Sequence, residues 1–342
     1  MSMRRSPMTV PRHAWSRRGG LVALQICAVA ALYYGSAELG LLQQLVRGQV
    51  TPLWPPSGIA LAGLLLLGPR VWPGIALGAF LTNVSLGPSV PAVLAITAGN
   101  TLAPLCSYAL LRRAGFHNEL DRLRDALALI FLGAFTGMLV SSTTGTGTLV
   151  LTGVLDAADF WPTWSVWWTG DAMGVLTVTP LLLLLRSARW PRGVPPYRWA
   201  EGILLLAATV CVGFLETSTT PLLFIGFPLL IWAAFRFQLA GAVPCALAVS
   251  TFAIIAATRK TGPFAGHDLF TNMITLQAFN ASAALTALLL GAAVSERART
   301  AQEIALAVGQ LATMATRISG SDRRPTFRVG EGERAVGDSA RH

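Results

Sequence analysis

From Leu21 to Val294 the chain reads as apolar runs parted by short breaks that carry polar residues, proline or arginine. Long runs lie near 21–42, 91–112, 122–150, 163–186, 199–216, 239–257 and 270–294, most of them close to the roughly 20 residues that a membrane-crossing helix needs. A shorter run lies near 221–235. The stretch LWPPSGIALAGLLLLGPRVWPGIALGAFLTNV, residues 53–84, is almost wholly apolar yet holds four prolines and five glycines. It predicts two short segments, 57–68 and 71–86, hinged at Gly68-Pro69-Arg70. The pattern as a whole predicts an all-α integral membrane protein, a polytopic helical bundle of about 8–10 transmembrane segments that includes one short broken hairpin. Outside residues 19–296, residues 1–18 read as a basic N-terminal arm and 319–342 as a disordered tail. Between them, in 297–318, Ile304, Val308, Leu311, Ala315 and Ile318 recur at spacings of 4, 3, 4 and 3. That is a short coiled-coil-like seam of about two heptads.

Composition agrees with the pattern: 53% of the 342 residues are hydrophobic and only 12% are charged. The net charge of +10 would suit nucleic acid, but the basic residues sit in the breaks between runs, where membrane topology requires them. Nucleic-acid binding is therefore not expected. With the N-terminus inside, 23 of the 26 basic residues fall on the inner side, and only Arg47, Arg259 and Lys260 fall outside. Fusing the hinged pair into one span would invert everything downstream and destroy that asymmetry. The expected setting is the bacterial plasma membrane, multi-pass, with both termini cytoplasmic. The arginine-led start, SRRGGLVALQICAV, reads as an uncleaved first helix rather than a removed leader.

Candidate chemistry is sparse. Cys27, Cys106, Cys211 and Cys245 all lie inside apolar runs and read as small hydrophobes. The four histidines have no ligand spacing, so neither a metal nor a cofactor is expected. Nucleotide-binding and zinc-protease signatures are missing, and Gly145-x-Gly147 lacks the third glycine of a dinucleotide loop. No catalytic constellation emerges, so no enzymatic activity is expected. The informative polar residue is Asp171, deep in TWSVWWTGDAMGVLTVTP, where a carboxylate costs about 2.5–3.5 kcal/mol unless it faces a partner or water. It is either a ligand-facing group or a hydrogen-bonding hub between helices. Glu38 and Glu216 lie nearer segment ends and read as interface residues. Asn83, Asn100, Gln277 and Asn280 should point into the bundle and bond across helices. Gly74-x-x-x-Gly78, Gly133-x-x-x-Gly137 and Gly170-x-x-x-Gly174 offer small-residue faces for close helix contact. Tryptophans 54, 161 and 164, in outer connections rich in proline, suit either a membrane–water boundary or a ligand-facing surface.

The blocks TPLWPPSGIALAGLLLLGPRVWPGIALGAFLTNV, AITAGNTLAPLCSYALLRRAGF, RLRDALALIFLGAFTGMLVSSTTGTGTLVL, WSVWWTGDAMGVLTVTPLLL and ALLLGAAVSERA follow one another from about Leu21 to Arg299. In that order they resemble the first type of membrane-associated sensor domain, the MASE family type one, with WPPSG and WWTGDAMGVL the specific blocks. The resemblance implies an integral-membrane sensory input module of bacterial signalling proteins, which usually precedes a kinase, cyclase, phosphodiesterase or PAS domain. It also implies the motif positions Trp54, Pro55, Pro56, Gly58, Asn83, Asn100, Trp167, Trp168, Gly170 and Asp171 as ligand or sensing candidates. Only 45 residues follow Arg297, too few for such an output domain. The expected partners are the lipid bilayer, a second copy of the chain, and a cytoplasmic kinase or cyclase. Broken helices and a membrane aspartate would equally suit a small-solute transporter or permease, and the short C-terminus would suit the decayed remnant of a longer sensor.

Overall fold

The structure, a computed structural model, describes residues 12–41, 51–87, 89–187, 195–218, 223–267 and 269–321. The described residues form ten α-helices: α1 (Arg12–Leu41), α2 (Pro55–Leu67), α3 (Trp72–Leu86), α4 (Val90–Arg113), α5 (Leu123–Ala128), α6 (Leu139–Leu151), α7 (Phe160–Ser187), α8 (Pro196–Glu216), α9 (Gly226–Arg259) and α10 (Leu269–Ser321). No strand occurs among the described residues. Residues up to Glu296 form one compact unit, and Arg297 onward a second. Part of the expected basic arm, residues 1–11, and most of the expected tail, 322–342, lie outside the described residues, as do Arg47, Arg189 and Arg192. The described part of helix α1 begins at Arg12, within the segment read as an arm, and runs through Gly19 and Gly20 into the apolar run.

Among the described residues, seven helical stretches are long and apolar enough to cross a membrane. The remaining expected segments come from breaks placed by proline and glycine. Pro55 and Pro56 occupy the first turn of α2, Pro69 the first turn of the 3-10 link Pro69–Val71, and Pro73 the first turn of α3. Proline costs nothing there, since the first-turn N–H groups have no helical partner. Gly68 ends α2 at φ 88°, a left-handed value that a side chain would resist. Two of the five glycines, Gly74 and Gly78, lie against Ile26 and Tyr33 of α1. The prolines thus start helices and the glycines admit neighbours, which is why the stretch makes a hairpin.

The 42-residue stretch Leu223–Phe264 also folds back. Gln238 has φ 55° and ψ −144°, which interrupts α9, and a Cβ on Gly226 would stand 2.8 Å from Val249. Residues so far apart in sequence can meet only if the arms on either side of Gln238 run antiparallel. The two arms match the separate runs read near 221–235 and 239–257.

Antiparallel pairing continues through the bundle. Gly40 abuts Trp54 while Gly63 abuts Val29, setting α1 against α2. Ser107 Oγ donates to Gly133 O at 2.7 Å, setting α4 against the π-helical turn Leu129–Thr136 that joins α5 to α6. Trp168 Nε1 donates to Phe135 O at 2.9 Å, so carbonyls of that turn accept side chains from both neighbours. Leu65 O takes Arg112 and Asn118, and Leu123 N–H donates to Glu296. The C-terminal end of α2, the α4–α5 connection and Glu296 therefore lie at one end of the bundle.

One polar residue departs from expectation. Glu216, read as reaching the interface, is 1% exposed and neither carboxylate oxygen has a hydrogen-bond partner. The close approach of Gly226, whose Cβ would lie 3.2 Å from Glu216 Oε1, encloses it. A buried polar group without a partner costs about 1–3 kcal/mol. Glu216→Met should therefore raise the detergent-state melting temperature, by an amount equivalent to roughly 1–2 kcal/mol. A lowered melting temperature would show that the carboxyl has a stabilising partner. Asn280 shares the condition: it is fully buried with both amide atoms unpaired, so the expected cross-helix bond from this amide is not made. Gln277 Nε2 is likewise buried without a partner.

Candidate functional site

Asp171 lies on the fourth turn of α7 and is 1% exposed. Ser57 Oγ on α2 donates to its Oδ1, and Ser141 Oγ on α6 is bonded to its Oδ2. No cation pairs with it among the described residues, so hydroxyls alone satisfy the carboxyl. The positions follow from close helix contacts. Trp54 N–H donates to Gly170 O at 2.9 Å, and Thr179 Oγ1 donates to Gly58 O at 3.0 Å. Gly58 lies against the Gly174 carbonyl, Gly170 against that of Thr51 and Gly174 against that of Trp54, each too close for a Cβ. These glycines let α2 and the preceding loop lie directly on α7, which brings Ser57 to Asp171.

A second set of polar side chains lies beside it. Tyr33 on α1 is fully buried, with Trp54, Asn100 and Asp171 as neighbours. Residues from α1, α2, α4, α6 and α7 therefore share one polar knot. Next to it is a cavity of about 40 Å³, room for two or three waters. It is lined by Thr51, Trp54, Asn83, Leu86, Gly87, Ile96, Asn100 and Trp167. Asn83 Nδ2 donates one proton to Ala79 O at 2.8 Å, which leaves its second N–H and its carbonyl oxygen as the groups it can offer. Trp167 packs across Gly145 and forms one wall.

The ten sequence-selected positions thus separate by role. Trp54, Asn83, Asn100 and Trp167 line the cavity, and Asp171 anchors the knot. Pro55 and Pro56 start α2, while Gly58 and Gly170 permit close contact. Trp168 is not brought to the cavity: it stacks on Trp164 with ring centroids 5.8 Å apart at 12° and bonds the π-helical turn. Sequence reasoning missed Tyr33, Ser57 and Ser141. Only the buried stripe Val29, Tyr33, Ala37, at four-residue spacing, marks Tyr33 off from the exposed Tyr34. Ser57, the first residue of the segment read as 57–68, is buried. No group of three or more histidine, cysteine, aspartate or glutamate side chains able to hold a metal occurs among the described residues.

A family model described as MASE1 matches residues 24–298. The chain is also 28% identical over 194 residues to a protein named "Probable diguanylate cyclase DgcE" of Escherichia coli (strain K12). That match covers 55% of this chain and 17% of the relative, so the chain corresponds to a small part of that protein's length. No solved structure matches.

Proposed function

We propose a function that proceeds from the family match: the chain belongs to the MASE1 family of membrane-associated sensor domains, and its role is sensory signalling at a membrane. The stimulus acts at the knot around Asp171, reached through the adjoining cavity from the outer face of a bacterial plasma membrane, with both termini cytoplasmic. The observation that carries this reading is the buried carboxyl of Asp171, bonded by Ser57 and Ser141 from two other helices, next to a cavity lined by Trp54, Asn83, Asn100 and Trp167.

A sensor needs two states that its stimulus can bias, and the proton count at Ser141 supplies them. Its hydroxyl lies within bonding reach of Asp171 Oδ2 and also 3.0 Å from Met138 O, yet it has one proton. With Asp171 ionised, Ser141 donates to it. With Asp171 neutral, or with a donor in its place, Ser141 accepts and turns its own proton to Met138. Both arrangements are fully bonded, so a small change at the cavity can select between them. The output passes along α10 to a cyclase- or kinase-type partner, of which the relative's name supports the cyclase, and the chain itself catalyses nothing. A transporter reading is less well supported, because the cavity is small and buried side chains such as Leu176, Thr177 and Thr179 fill α7 beyond Asp171.

Orientation and access are tested together by membrane-impermeant thiol labelling of the full chain, with native cysteines replaced. Leu86→Cys at the cavity and Asp159→Cys should label from outside intact cells, and Arg113→Cys only after the membrane is opened. Labelling of Arg113→Cys from outside, or failure at Leu86→Cys while Asp159→Cys reacts, would overturn the reading.

A further inference from the structure

Helix α8 and the α9 hairpin enclose a groove of about 580 Å³, separate from the Asp171 knot. Its mouth holds Arg198 and Arg236, and its walls include Leu206, Phe235 and Ala248. Arg236 donates through Nε and Nη2 to the two carboxylate oxygens of Glu201, the latter at 2.7 Å. Two guanidinium groups against one carboxylate leave one net positive charge at the mouth. Arg198 is exposed, and Tyr197 and Trp199 on either side of it are exposed too, at 60% and 49%. Aromatic and arginine side chains in that arrangement mark the headgroup level of a bilayer.

The groove's length is informative. On α8 it runs from Arg198 to Thr209 and on α9 from Gln238 to Ala248, roughly 15–17 Å at 1.5 Å per residue. That is half of the ~30 Å hydrocarbon core, the depth of one leaflet. Space exists because Gly202 puts no side chain into it; a Cβ there would meet nothing nearer than the Phe237 ring at 3.8 Å. The deep end is chemically plain. Thr209 donates its hydroxyl proton to Leu205 O at 2.8 Å, and Cys245 Sγ lies 3.5 Å from the same hydroxyl. Nothing there asks for a polar ligand. A charged mouth at headgroup level and an apolar trough one leaflet deep fit an amphiphile with an anionic head.

We propose that this groove binds one anionic glycerophospholipid, its phosphate at Arg198 and Arg236 and one acyl chain along Leu206, Phe235 and Ala248. The lipid belongs to the leaflet on the side of the bundle that carries most of the arginines, where anionic headgroups meet basic pockets between helices. The bound chain would lie against the hairpin beside Gln238, whose left-handed φ of 55° is an uncommon conformation that neighbouring structure has to hold.

The test is native mass spectrometry of the full chain in detergent, titrated with phosphatidylglycerol or with phosphatidylcholine of the same acyl chains. The wild-type chain should retain one phosphatidylglycerol with at least about tenfold preference over phosphatidylcholine, equivalent to 1.4 kcal/mol. Arg198→Ala, an exposed change with no expected effect on folding, should bring that preference close to one, and Arg198→Lys should restore part of it. Gly202→Leu, which places a side chain in the open trough, should weaken retention of both lipids. Equal retention of the two lipids by the wild-type chain, or an unchanged preference in Arg198→Ala, would overturn the proposal. Displacement of phosphatidylglycerol by millimolar inorganic phosphate would also overturn it, assigning the mouth to a free anion. None of these outcomes depends on the Asp171 knot, so the two proposals stand or fall separately.

Discussion

Gly174→Ala is expected to be the most damaging single methyl addition in the bundle. The new Cβ would overlap the Trp54 carbonyl oxygen and approach its carbon to 2.8 Å. Neither atom can swing away as the end of a flexible side chain could, because both belong to the backbone at the entry to α2. Trp54 is also fixed by its N–H bond to Gly170 O. Relief requires moving α2 off α7, which would pull Ser57 from Asp171 and the Gly58 carbonyl from Thr179. Overpacking a well-filled site usually costs 1–3 kcal/mol, and with backbone on both sides a loss of about 3 kcal/mol or more is expected here. Thermal unfolding of the purified chain checks it, with Gly147→Ala as control. Gly147 has nothing within 4 Å of its would-be Cβ, so that change should be neutral or gain up to about 1 kcal/mol from helix propensity. Equal melting temperatures for the two variants would mean that the α2–α7 contact is looser than described.

Asp171→Leu should cost about 2–4 kcal/mol, whereas Asp171→Asn should cost less than about 1 kcal/mol. Leucine removes the acceptor that Ser57 uses and the partner of Ser141, and it leaves Ser57 Oγ buried without a bond. Ser141 can fall back on Met138 O, so the loss is smaller than that of two orphaned hydroxyls together. Asparagine keeps an acceptor for Ser57 and supplies an N–H donor to Ser141, whose own proton then serves Met138. The amide therefore reproduces the arrangement assigned to neutral Asp171. Melting temperatures and the monodisperse fraction after purification measure both variants. Equal tolerance of leucine and asparagine would make the carboxyl incidental to the fold.

Much of the architecture was legible because membrane physics leaves few solutions. Apolar run length predicts each crossing, and the arginines at Gly68-Pro69-Arg70, Arg112 and Arg122 separate the hairpin from one long span. The three small-residue faces also read through: Gly74, Gly78, Gly137, Gly170 and Gly174 each meet a neighbouring helix or loop too closely for a side chain, although the nearest atom to Gly133 belongs to its own helix's Leu129. Asp171 could be singled out because a carboxylate within a span has to be satisfied. Its partners could not, since serine and tyrosine in apolar runs are common and one sequence carries no record of which faces meet. Ser57 was obscured by two prolines that look like a loop but start a helix. Glu216 was misread for a related reason: position near a segment end implies access to water only if no neighbour covers it, and Gly226 does.

The central claim is that the Asp171 knot is a two-state element coupled to the seam of α10. The seam residues Ile304, Val308 and Leu311 are about 60% exposed in the single chain, so a second copy or a partner can cover them. The most direct test is disulfide formation in cells by Leu311→Cys in an otherwise cysteine-free full chain, with Asp171 or with Asp171→Asn. Coupling between sites is typically worth 1–3 kcal/mol. The account therefore predicts a change in crosslinked fraction of about fivefold or more between the two, at equal membrane abundance and with melting temperatures within the small difference expected for asparagine. Equal crosslinked fractions in both chains, zero included, would contradict it.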